Sequence, residues 1–278
     1  HEVSGNAELA EGNIDFRGDI VIHGNVESGV NIRATGSITI DGVAEACMLE
    51  AGKDIILRGG MLGGNKASVK TKGAITAKFF EFTNILCEGD LQADVLMDCS
   101  VICHGQIRLT GRKGSIIGGK VQAIRGLIAT SLGNDAEKRT EIFVGAGIDV
   151  YSRLRVMEKK IETTREELAK IEEGLEKFEI LSKERGVSYT NDPRRTSLLR
   201  IKIKDSAMLA SDEEEVRKLR ILAESSKGAC VSVIQEIYPG VIINMDELKL
   251  ALKNMATGVE FYKLPDKIGT RPCSAGVE

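Results

Sequence analysis

Several side chains in this 278-residue chain have the types and spacing to do chemistry. Cys87, Cys99, Cys103 and His104 fall within one short stretch and could in principle form a soft metal site. Cys99 and Cys103 are four apart on an extended segment, roughly 13 Å, too far to chelate one ion. His104 precedes Gly105 and faces away from Cys103, so the set reads as buried reduced thiols, and no metal or cofactor is assigned. Asp90, Asp94 and Asp98 fall in one stretch, as the carboxylates of a polysaccharide-acting enzyme would. Their counterparts 16 residues to either side are Ala74, Lys78 and Phe82, and Gln106, Thr110 and Gly114, so no acidic groove builds up. His23 and His104 are the candidate general bases for a hexapeptide-type acyltransferase. Gly111-Arg-Lys-Gly114 and Gly118-Gly119 lack the Lys-Ser/Thr of a phosphate loop. Arg194, Arg195, Arg200, Lys202 and Lys204 form a basic cluster next to Tyr189, which suits a solvated helix face or a patch for an acidic or nucleic-acid partner.

The elements that must carry these residues are repetitive. From Gly73 the chain divides into 16-residue pieces starting at Gly73, Gly89, Gly105 and Val121, with Ile75, Leu91, Ile107 and Ala123 at the third place. Ile85, Val101 and Ile117 stand at the thirteenth place, and Cys87, Cys103 and Gly119 at the fifteenth. Upstream, Gly12, Gly18, Gly24, Gly36 and Gly42 lie at multiples of six, with Val30 in the remaining slot. Between them run alternations such as Gly18-Asp-Ile-Val-Ile-His23, the period-two mark of strands with one buried face. Glycine allows the positive φ that a corner between strands can require. Three short strands per turn give rungs of roughly 16–18 residues, stacked so that each buries its apolar face on its neighbours. One rung, from Gly52 to Lys72, is longer, with its loop expected over residues 58–66. Cys87 and Cys103, one rung apart, are expected to stack and point inward.

Composition agrees with a parallel β-helix. Of 30 glycines, 23 precede residue 150, and all four prolines follow residue 192, which leaves the ladders nearly all their N–H donors. Trp is absent, so the stacked core must be Ile, Val, Leu, Ala and Cys. A net charge of -3 gives no whole-molecule case for nucleic acid. No apolar run is long enough for a membrane span. No secretory signal is found, and the chain opens at His1 as a fragment would; six cysteines without a disulfide framework suit the cytoplasm.

From Leu154 the pattern becomes a heptad, Leu154, Met157, Ile161, Thr164, Leu168, Ile171, Leu175 and Phe178, with nine basic and nine acidic residues between Tyr151 and Gly186. Asp149 is the expected N-cap and Gly186 the expected residue past the C-cap. A second helix starts at Asp192-Pro193 and ends before Gly228, with a less regular stripe of Ile201, Met208, Leu209, Val216, Leu219 and Ala223. Two helices of similar length joined by a short link predict an antiparallel hairpin. Strand patterns return in Ala229–Asn244 and at Leu248, Leu250 and Leu252, so the hairpin is expected to be inserted into the solenoid. The boundaries are 1–148 for the β-helix, 149–228 for the hairpin and 229–278 for strands that rejoin or cap the β-helix.

The glycine-cornered rungs of residues 12–147, the heptad hairpin of 150–227 and the return Ile237-Tyr-Pro-Gly-Val-Ile-Ile-Asn244 resemble the flagellar assembly protein A family over nearly the whole chain. The resemblance implies a right-handed β-solenoid, a bacterial cytoplasmic protein and a role in flagellar assembly or cell-pole organisation. The β-helix is similar to those of bactofilin and of the C-terminal domain of the septum-site inhibitor MinC. Members usually carry a further N-terminal domain, which this chain lacks. No catalytic motif comes with the family, and the expectation is a non-enzymatic scaffold or adaptor. Its hairpin tip, Tyr189 to Arg195, is the expected contact for a protein partner, together with Arg200, Lys202 and Lys204. Pairing through the hairpin or through unpaired solenoid ends would make a homo-oligomer. The alternatives are the two enzyme classes above.

Overall fold

In the computed structural model, which describes residues 1–274, inward apolar side chains form three columns. One runs Ile20, Ile38, Ile55, Ile75, Leu91, Ile107, Leu127, Val231, each paired in parallel register with the next. A second runs Ala44, Met61, Phe80, Leu96, Ile116, Leu132, Ile237. A third runs Ile32, Leu49, Val69, Ile85, Val101, Val121, Ile142, Ile243. Almost all of these side chains are fully buried. Burying one such aliphatic side chain contributes about 1.5–3 kcal/mol, so the columns are the main source of stability. The result is a mainly β solenoid of about eight turns, three strands to a turn.

The glycine corners have a different cause from the one expected. Most corner glycines do not have a left-handed φ. They are glycine because the next rung lies against them. At Gly36 an added Cβ would stand 2.1 Å from Asp19 Oδ1, and at Gly105 it would stand 2.2 Å from Asp90 Oδ1. Those carboxylate oxygens accept the N–H of the residue after each glycine, Ser37 at 2.7 Å and Gln106 at 2.8 Å. Asn6, Asn25 and Asp54 repeat the arrangement beneath Gly24, Gly42 and Gly73. The Asx oxygens thus satisfy corner donors that no ladder reaches.

Two register details also differ. The extra residues of the fourth rung do not form a loop over 58–66. They bulge at Gly63–Lys66 within the strand Met61–Thr71, where the pairing shifts opposite Phe82. The 16-residue repeat holds from Ile75 to Ile107 and then slips by four: Ile107 pairs with Leu127, and Val101 and Cys103 pair with Val121 and Ala123. The inserted residues lie at 110–114, between the strands Ile107–Leu109 and Ser115–Ile117.

The chain forms two compact units, one of His1–Gly147 with Ser225–Glu278 and one of Ile148–Glu224. In the first, Cys230–Ile237 and Val241–Met245 continue the parallel ladders onto Leu127–Leu132 and Thr140–Val144. The hairpin is therefore inserted after the solenoid body, between consecutive rungs. At Asp246, with φ +52°, the chain reverses into Leu248–Ala251, antiparallel to Val241–Met245. Ala256–Lys263 then runs antiparallel to Cys230–Ile237, and Ile268–Pro272 antiparallel to Ala256–Lys263. The C-terminal segment thus covers that end of the solenoid.

The second unit holds helices α1 (Gly147–Arg185) and α2 (Pro193–Ser225), with the end residues Gly147 and Ser225 in the first unit. Helix α1 begins at Gly147, so Asp149 lies inside its first turn and is not the N-cap; its side chain is outside the described residues. Gly186, at φ +63°, takes the left-handed conformation that ends a helix. Asp192 Oδ1 accepts the Arg194 N–H at 2.8 Å and caps α2 ahead of Pro193. The seam of α2 keeps Leu209, Val216, Leu219 and Ala223 of the expected stripe, while Ile201 and Met208 are exposed. Among the buried and half-buried positions runs a strict heptad of Arg195, Leu198, Lys202, Asp205, Leu209, Asp212, Val216, Leu219 and Ala223. Four polar occupants hid that heptad from a hydrophobicity count. Cross-helix pairs Arg153–Glu215, Lys160–Asp212 and Lys202–Glu172 fix the antiparallel alignment, as does Leu198 against Gly174.

Candidate functional site

The solenoid uses most of its reactive side chains to hold rungs together. Cys87 and Cys103 stack in register and are fully buried, their thiols directed at Gly73 and Gly89 carbonyls at 3.3 and 3.2 Å. Contact with Cys87 and burial both push the Cys103 thiol up. Burial likewise pushes Cys47 up to about 12 and Cys99 up to about 11, so neither offers a thiolate near neutral pH. His104 is half-buried in the bend that follows the strand Ser100–Cys103. Among the described residues no group of three or more His, Cys, Asp or Glu is arranged to hold a metal ion.

The three aspartates of the enzyme reading are also committed. Asp90 accepts Gln106 N–H and lies 3.4 Å from Arg125. Asp94 accepts the N–H groups of Lys113 and Gly114 at 3.0 and 3.2 Å. Asp98, in left-handed conformation at φ +51°, pairs with Lys138. His23 sits between carboxylates of the rungs above and below, with Nε2 2.7 Å from Glu2 and Nδ1 2.8 Å from Asp41. These two contacts raise its pKa, the bond to Glu2 most, and Arg58 continues the stack 3.2 Å from Asp41. A histidine held this way links three successive rungs.

One surface that gathers exposed cations is the turn end of the hairpin. The link of residues 186–192 folds back so that the Tyr189 ring lies 6.2 Å from Phe178, and Ser188 and Thr190 hydroxyls bond at 2.8 Å. A cleft of 510 Å³ opens there, lined by Phe178, Glu179, Ser182, Lys183, Gly186, Val187, Ser188, Thr190 and Arg195. A smaller cavity of 170 Å³ lies on the solenoid between Asn65, Phe82, Asp98 and Lys120. Of the six residues singled out in the sequence, Arg195 lines the tip cleft and Tyr189 stands beside it through its ring contact with Phe178. Arg194 occupies the first turn of α2 and is exposed. Lys202 turns into the seam and bonds Glu172 at 2.8 Å, while Arg200 and Lys204, one turn apart, are exposed. The sequence did not point to Phe178 and Val187 as cleft walls, because Phe178 reads as an ordinary heptad position.

Among the described residues no helix is long and apolar enough to cross a membrane. No curated protein and no solved structure matches the chain. A family model described as the Flagellar Assembly Protein A beta solenoid domain matches residues 1–268.

Proposed function

The chain belongs to the Flagellar Assembly Protein A beta solenoid domain family, and on that premise we propose that it is a non-enzymatic scaffold or adaptor for flagellar assembly or cell-pole organisation. It works in the cytoplasm, and its hairpin makes the protein–protein contacts. The observation that carries this reading is the commitment of His23, Asp90, Asp94 and Asp98 to bonds between rungs, while Arg194, Arg195, Arg200 and Lys204 at the hairpin tip have no ion-pair partner among the described residues. A solenoid column supplies a rigid body, and an antiparallel hairpin inserted between two of its rungs supplies an arm. Tyr189, Arg194, Arg195, Arg200, Lys202 and Lys204 are the proposed partner-binding residues.

The test is affinity capture from a bacterial lysate, comparing the whole chain with a variant in which residues 150–227 are replaced by a short linker. Circular dichroism must first show that the variant keeps its β signal. Partners lost with the hairpin support the adaptor reading. Partners retained without it move recognition to the solenoid faces and leave the hairpin as a spacer or dimerisation device.

A further inference from the structure

The charges of the hairpin are balanced along most of its length and unbalanced at its end. Arg153 pairs with Glu215, Lys160 with Asp212, Arg165 with Glu213 and Arg220 with Glu158, each across the two helices. Between residues 183 and 204 there are seven Lys or Arg against two acidic residues, in a chain whose net charge is -3. Only one of the seven is paired among the described residues, Lys202 with Glu172. Like charges gathered at one end of the hairpin repel and cost stability, and Lys202–Glu172 is the one ion pair set against them among the described residues. Within the cluster lies the tip cleft. Its lining is apolar at Phe178 and at Val187, which is 54% exposed, and carries two cations, Lys183 and Arg195, against one carboxylate, Glu179.

We propose that the tip cleft binds an acidic segment of a protein partner that carries one large apolar side chain, the side chain entering between Phe178 and Val187 and the carboxylates meeting Lys183, Arg194 and Arg195. This rests on the adaptor reading and adds the chemistry of the partner. A cleft of 510 Å³ is of the size that takes a small ligand, so it has room for one large side chain and the peptide on either side of it. A nucleic acid would instead be met by a groove that tracks its backbone past successive aromatic platforms, and the tip offers the Tyr189–Phe178 pair alone. Arginine clusters recognise acidic motifs through bidentate contacts, which Arg194 and Arg195 can supply.

The test is fluorescence anisotropy with the whole chain and a short labelled peptide of Asp and Glu around one central Phe. Saturable binding is expected. It should weaken about tenfold or more when Arg194→Glu and Arg195→Glu are combined, and also when the peptide's Phe is replaced by Ala. An equal charge reversal far from the tip, Arg155→Glu with Lys159→Glu, should leave it unchanged. Melting curves matching those of the unaltered chain establish that each variant is folded. Peptide binding insensitive to the tip variant, no binding at all, or tighter binding to oligo(dT) or to phosphatidylserine vesicles than to the peptide would each overturn the proposal. Lysate partners that depend on the hairpin yet survive the tip variant would leave the adaptor reading intact and remove this one.

Discussion

At Gly105 the space for a side chain is already filled, because an added Cβ would meet Asp90 Oδ1 at 2.2 Å and backbone atoms of Gly89 at 2.4 Å or slightly more. Backbone cannot rotate out of the way as a flexible side chain can. Gly105→Ala should therefore destabilise the solenoid by about 1–3 kcal/mol, read as a lower urea midpoint. Gly5→Ala is the control, since nothing lies within 4 Å of its Cβ, and it should shift the midpoint little. An equal loss at both positions would refute the close-approach account of the corner glycines. His23 gives a second prediction, in pH. Its folded pKa is raised above the ordinary value near 6.5 by Glu2 and Asp41, so protonation stabilises the folded state. That contribution is complete below about pH 6.5 and disappears as pH rises through the raised folded value. The stability difference between the natural chain and His23→Asn should thus be largest near pH 5–6 and vanish on the alkaline side. A difference that grew with pH would show that the imidazole is held neutral. Only part of this was legible in the chain. Spacing disclosed which glycines are corners, but not that an Asx one rung below closes the space, since that contact joins residues 15 to 19 apart; the local trace of it is that Asn6, Asp19, Asn25 and Asp90 each directly follow a glycine.

The same limit shapes what the elements disclosed. The rung repeat was readable where each rung spends the same number of residues, from Ile75 to Ile107. It failed at residues 110–114, where Gly111 and Gly114 imitate corner glycines while adding four residues to the turn. Local composition cannot distinguish an inserted glycine turn from a corner; only the partner strand can. In the hairpin, α1 was legible because seven of its eight seam positions are apolar. The seam of α2 was legible only in its second half, from Leu209 to Ala223, because Arg195, Lys202, Asp205 and Asp212 occupy slots that hydrophobicity alone would leave out. Asp212 shows what such a slot costs. It is 9% exposed and its carboxylate lies 2.7 Å from Lys160, a nearly buried anion with a single half-exposed cation against it. Lys160→Ala should strip that partner and lower hairpin stability by about 1 kcal/mol, less than a fully buried pair because water screens Lys160. Replacing both residues, Lys160→Met with Asp212→Leu, should restore or exceed the original stability by completing the apolar seam. Melting curves of the single and double variants decide the matter. A double variant less stable than the single one would mean that the pair holds the helices in register.

For the whole molecule the question is how a stack of parallel rungs stops. Each rung leaves its outer N–H and C=O groups ready for another, and a bare end would recruit a second copy. At the C-terminal end the stop comes from reversing direction. A parallel continuation needs the chain to travel all the way around the solenoid, whereas the two-residue turn at Asp246 and Glu247 returns it at once as an antiparallel strand. Leu248–Ala251 and Ala256–Lys263 then cover Val241–Met245 and Cys230–Ile237, and Phe261 fills the core beneath them with 1% of its surface exposed. Lys263 reaches Asp246 at 2.6 Å, and Arg271 pairs with Glu260, which bonds Ser232 at 3.0 Å, so the cap is fastened by polar contacts as well as by its ladder. The outermost strand, Ile268–Pro272, ends in a proline that has no N–H to offer. Pairing of two copies through this end is thereby disfavoured. Ending the chain after Met245 should expose two parallel edges together with the seat of Phe261. Sedimentation velocity on that variant is expected to show association that grows with concentration and is absent from the same surface of the intact chain. If the truncated chain sediments as a monomer at every concentration, the antiparallel strands serve to complete the core, and something other than the cap prevents the rungs from stacking.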